Sequence, residues 1–389
     1  MKNSFSPLQP WVFRGQMFFF LMLSAVLMFQ YEVIMMERGI SLSTALRVFG
    51  VSQIVSMASV YVWGRAVRKA RQVNRLIQGA LIFRILILLL MYVVGSDRLF
   101  IALFLLYCTI WGSVNTVFEG RLTQWVFNHR LSFGKFRLWG SIGFAVSGFI
   151  VSGLYLFITQ SASILLFMMG VNFLILIGSL KYPIKVEMAE KQKRPQKLEI
   201  RYLLLLVMIA TVVILPDTFS VVLNNHYREA FGLTIEGAVF YTGIALMLGA
   251  FVSEVPAFLM IDRLIGRFGY KKMLMTGLFL SIARWVLSLV ATSHPLLFTF
   301  TYLFHGVVFA FLYVGCLNFI QDKGGNEATG AFIINFTLIT GIIGFIKTQL
   351  FSVILEFYTT YAVLGIFTAI SIAACLLYWR FYYLPESRG

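Results

Sequence analysis

Apolar residues run along this chain in long stretches, separated by short polar segments that are mostly basic. Twelve stretches stand out, at residues 11–36, 41–64, 75–95, 98–125, 138–158, 163–181, 201–225, 236–261, 272–293, 296–319, 331–355 and 360–380. The hydrocarbon core of a bilayer is ~30 Å thick, and about 20 apolar residues cross it as a helix. Only a helix satisfies every backbone N–H and C=O within one such segment. Each stretch therefore predicts a transmembrane α-helix. No small-residue cleavage site follows the first stretch, so it reads as helix 1 and not as a removed signal peptide.

Composition agrees with this pattern. Of 389 residues, 59% are apolar and 12% are charged, against roughly 45–50% and about 25% in soluble domains. A soluble globule must cover itself with polar groups and has no use for so much apolar surface. The net charge of +16 raises nucleic acid as a partner, but its placement argues against that. Of the 32 Lys and Arg, 24 fall in loops on one side of the expected membrane, 3 on the other and 5 within spans. By the positive-inside rule both termini are cytoplasmic and the helix count is even. Cys108, Cys316 and Cys375 all lie in apolar runs, so no disulfide framework is expected.

A polar, charged linker over residues 182–200 splits the chain into six helices at 1–181 and six at 201–389. The halves share register. The segment from Arg71 aligns with that from Lys271 at an offset of 200, which sets Arg84 on Arg284. Two parallel repeats place a substrate site between the halves near mid-bilayer. The expected fold is an all-α membrane protein of two six-helix bundles.

Charges inside spans normally face a cavity or a partner. Glu254 lies ~12 Å and Arg284 ~18 Å from the inner end of their helices, so an ion pair between them is expected. Asp217 follows Pro216, which interrupts the helix ladder of its span, and such breaks line transporter cavities. Glu32 and Lys347 lie in the outer half and are candidates for the cavity wall or for the interface. Arg84 is ~13 Å into helix 3 and is placed to pair with Glu119 of helix 4. His305 lies near mid-depth in helix 10, either a hydrogen-bonded packing residue or a proton carrier. No second His or Cys is suitably spaced for a metal.

The run FGKFRLWGSIGF, Phe133 to Phe144, resembles a signature of one branch of the major facilitator superfamily. That branch holds proton symporters similar to lactose, phenylpropionate and nucleoside permeases. The stretch from Gly249 to Leu289 resembles helices 8 and 9 of the same branch, and LFHGVVFAF resembles its helix 10. DRLIGRFGYKK, with Asp262, Arg263, Arg267 and Lys271, is similar to the superfamily's gating loop between helices. The resemblance implies proton and substrate handling at Glu254, Arg284 and His305, and substrate contact at Glu119. Helix 10 carries no carboxylate after His305, where lactose permease has the one that carries its proton.

The expected function is secondary active uptake of a small organic solute (a sugar, nucleoside or aromatic acid) with a proton as coupling ion and no cofactor. Glu254 carries the proton, and Asp217, Glu119, Glu32, Lys347 and Arg84 contact substrate. Efflux of drugs or lipids on the same fold is the alternative, and a non-transporting sensor is a remote one. No HExxH motif, paired catalytic Asp or Walker loop suggests an enzyme. The expected setting is the bacterial cytoplasmic membrane, with lipids around a functional monomer.

Overall fold

The computed structural model describes residues 6–69, 73–129, 131, 133–157, 162–184 and 200–383, with some side chains inside these ranges left undescribed, among them those of Asp262 and residues 321–335. The chain divides into two compact units, Met1–Met188 and Ala189–Gly389. Residues 185–199 of the expected linker lie outside the described residues.

The first unit holds α1 (Gln9–Glu37), α2 (Leu42–Lys69), α3 (Val73–Val93), α4 (Asp97–Asn128), α5 (Phe133–Phe157) and α6 (Ala162–Lys181). The second holds α7 (Ile200–Val213), α8 (Leu215–Val221), α9 (Leu223–Phe231), α10 (Ile235–Leu246), a π-helical stretch (Met247–Glu254), α11 (Val255–Phe268), α12 (Tyr270–Val290), α13 (Pro295–Phe300), α14 (Leu303–Phe357), α15 (Thr360–Tyr378) and a short π-helical end (Trp379–Tyr383). Among the described residues, 11 helical segments are long and apolar enough to span a membrane, and a shorter apolar segment, Leu138–Val151, lies in α5. These match the twelve expected runs.

In lipid, helices associate through close packing rather than through hydrophobic burial, so small residues sit where backbones meet. Gly143 of α5 is such a point: a Cβ there would collide with the Phe18 carbonyl of α1. Arg38 closes the far end of α3 by donating to the Val94 and Met91 carbonyls at 3.0 and 3.1 Å. Last-turn carbonyls have no partner within their own helix, and a guanidinium supplies one. In the second unit, Leu206 and Ile209 of α7, Leu274 and Leu278 of α12, Leu312 and Phe319 of α14 and Tyr378 of α15 form one buried core. Cys108, Cys316 and Cys375 are buried and free.

Three spans depart from simple helices. The seventh, Ile200–Val221, is broken into α7 and α8, with Pro216 in the first turn of α8. Proline has no N–H and crowds the carbonyl four residues back. The eighth carries the π-helical stretch just before Pro256, where the same crowding favours a wider turn. The expected break between helices 10 and 11 does not interrupt the assigned helix, which is continuous for 55 residues from Leu303 to Phe357. That stretch contains no proline, so every amide in it is able to donate. It carries two spans, Pro295–Ile320 (with α13) and Leu338–Phe357. Between α11 and α12, Gly269 has φ 79°, a conformation glycine adopts without steric cost.

Candidate functional site

Four expected site residues converge in the second unit. Arg284 of α12 is 1% exposed. Its Nη1 donates to Nδ1 of His305 in α14 at 3.1 Å. A guanidinium only donates, so Nδ1 is the bare nitrogen and His305 is neutral with its proton on Nε2. The guanidinium carbon lies 4.7 Å from the centre of the Tyr302 ring and 4.5 Å from that of Trp285. Nε and Nη2 are buried without a hydrogen-bond partner. Tyr302 and Asp217 are its electrostatic partners.

Asp217, in the broken span, is exposed although it sits within a transmembrane segment. Its strongest electrostatic partner is Lys347, followed by Arg284. Lys347 is 6% exposed, and its Nζ donates to the Ile214 carbonyl at the helix break. One accessible carboxylate thus stands before two buried cations. A buried cation is tolerated only with compensation from a nearby charge or hydrogen bonds.

The Arg284 guanidinium is turned to His305 and Tyr302. Glu254 is half-buried at the end of the π-helical stretch, with its backbone against Gly306, beside His305.

In the first unit Arg84 of α3 is fully buried. It donates from Nη2 to the Tyr107 hydroxyl at 3.2 Å, and its guanidinium carbon lies 4.4 Å from the centre of the Trp111 ring. Glu119 is half-buried on α4. Glu32 is 1% exposed on α1. Of the expected gating loop, Arg263 and Arg267 are exposed and Lys271 is half-buried, its carbonyl accepting from the Tyr378 hydroxyl at 3.2 Å. The Asp262 side chain lies outside the described residues.

Sequence reasoning missed Tyr107 and Tyr302. With 16% of the chain aromatic, nothing marked these rings apart from the rest. The usable signal was the repeat. Arg84 and Arg284 occupy matched positions, and each guanidinium lies against an aromatic ring of the next span.

Comparison with known proteins places this geometry. The chain is 28% identical over 252 residues to the maltose permease of Geobacillus stearothermophilus, a match covering 64% of this chain and 62% of that protein. The chain thus spans less than two thirds of that relative. Its fold matches the nucleoside transporter NupG with a TM-score of 0.74 at 15% identity, over 95% of this chain and 98% of the other. It matches the POT family transporter PepTSo with a TM-score of 0.78 at 10% identity, over 99% and 100%. All three are transporters and none is an enzyme. The MFS_1 like family matches residues 11–342, and the chain belongs to that family of the major facilitator superfamily.

Proposed function

We propose that this protein is a secondary transporter that takes up a small organic solute, such as a sugar or nucleoside, together with a proton by alternating access. It would sit in a bacterial cytoplasmic membrane with both termini inside. The observation that carries this reading is Asp217, an accessible carboxylate inside a broken span with Lys347 and Arg284 close behind it. A carboxylate that must pass through a closed, desolvated state is costly when charged and cheap when neutral. Protonation of Asp217 removes that cost. Loss of the proton restores a counter-charge to Lys347 and Arg284. This gives Asp217 the part that the sequence assigned to Glu254, with His305 holding Arg284 in place. The maltose and nucleoside specificities of the relatives supply the first solutes to try.

The test is uptake of radiolabelled maltose and uridine into proteoliposomes with an acidic exterior. Accumulation should depend on the pH gradient and collapse with a protonophore. Asp217→Asn should lose gradient-driven accumulation of the transported solute yet retain solute exchange at equal pH. Accumulation by Asp217→Asn that still follows the gradient would sink the assignment of the proton to that residue.

A further inference from the structure

One rung of the helix that carries His305 is gripped by a side chain from another helix. Ser253, in the π-helical stretch Met247–Glu254, donates from Oγ to the Leu303 carbonyl at 2.5 Å. The same Oγ accepts from the Val307 amide at 3.1 Å. Leu303 and Val307 are residues i and i+4 of α14, so this carbonyl and this amide are the two ends of one helical rung. A hydroxyl at that place competes for both ends, and insertion into the ladder is a recognised cause of helix bending. His305 lies between the two ends. Just before it the ladder is already tight: the Phe304 amide donates to the Thr301 carbonyl at 3.2 Å, and the His305 amide to the Tyr302 carbonyl at 3.0 Å. These are i to i−3 bonds of the 3₁₀ kind.

The two backbones touch at the same level. A Cβ on Gly306 would collide with the backbone nitrogen and Cα of Glu254, and a Cβ on Gly249 would lie 3.3 Å from Cδ2 of His305. Glycine at 306 is what lets Ser253 reach the rung.

We propose that Ser253 is a positioning residue, whose hydroxyl clasps the Leu303–Val307 rung and so fixes where His305 meets Arg284. The clasp links three elements in series. The π-helical stretch holds the rung, the rung carries His305, and His305 accepts from Arg284 of α12. A shift of the π-helical stretch thereby reaches Arg284 through His305. The inference stands apart from the solute and the coupling ion, and its test uses neither.

The chain contains four histidines, so ¹⁵N-histidine labelling of the full chain in lipid vesicles gives few imidazole signals by solid-state NMR. His305→Gln identifies the signal of residue 305. In the unaltered protein His305 should show a bare Nδ1 and a protonated Nε2. Ser253→Thr keeps the hydroxyl and should keep that signature. Ser253→Ala should convert it to mixed tautomers while leaving the other three histidines unmoved. Gly306→Ala, which drives α14 off the clasp, should reproduce the Ser253→Ala spectrum. An unmoved His305 signal in folded Ser253→Ala overturns the proposal, even where thermal stability falls. So does a Thr variant that behaves like the Ala variant. Should Ser253→Ala fail to fold, Gly306→Ala decides, and an unaltered His305 spectrum there overturns the proposal.

Discussion

Arg284 donates from Nη1 to Nδ1 of His305 across 3.1 Å. Removing the acceptor leaves Nη1 unsatisfied in a buried place, which costs on the order of 1–3 kcal/mol. His305→Leu should therefore lower the thermal midpoint in detergent, and His305→Gln, whose side-chain carbonyl accepts, should recover part of the loss. Equal midpoints for Leu and Gln would show that the bond does not matter to stability.

Arg84 rests against Trp111 and Tyr107 with Nε and Nη1 unpartnered. A planar guanidinium stacks on rings in a way an ammonium does not, and a desolvated cation–π contact is worth about 2 kcal/mol. Arg84→Lys should be less stable than Arg84→Met, because Met removes an under-compensated buried charge altogether. The check is a thermal-shift comparison of the two variants, and the reverse order would count against the aromatic platform.

Gly143 has no room for a methyl group against the Phe18 carbonyl, whereas Gly79 of α3 has nothing within 4 Å of an added Cβ. Gly143→Ala should force α1 and α5 apart and cost at least about 1–3 kcal/mol. Gly79→Ala should be neutral or gain about 0.5–1 kcal/mol from helix propensity. Fluorescence-detected gel filtration after heating separates the two.

His226 lies in α9, beyond the seventh span (Ile200–Val221). It is buried among Phe298, Phe219 and Tyr361, with Nδ1 2.6 Å from the Thr360 hydroxyl. Burial pushes its pKa down to about 3. The folded protein keeps it neutral while the unfolded chain protonates it near the ordinary value of about 6.5. Its contribution is thus complete above about pH 6.5 and is lost progressively as pH falls towards 3. His226→Phe should flatten the dependence of the thermal midpoint on pH over that window. An unchanged slope would remove His226 as its source.

Much of this was legible in the residues. Apolar run length gave the spans, because lipid leaves the backbone no alternative to a helix. Pro216 announced the break in the seventh span, and the offset of 200 paired Arg84 with Arg284. The partners of those arginines were not legible. Depth along a helix axis says how far in a charge lies but not which way its side chain turns. Glu254 and Arg284 share a depth, yet the guanidinium faces His305. Ser253 was invisible for a related reason. Its reach depends on the extra residue in a π-helical turn, which shifts the face on which every later side chain emerges.

The three buried thiols have a practical consequence. Alkylating reagents need an accessible thiolate, and Cys108, Cys316 and Cys375 are at most 7% exposed. The unaltered sequence is therefore already a quiet background for site-directed labelling. A single cysteine placed beside Asp217 would report solvent access there without first stripping the native ones.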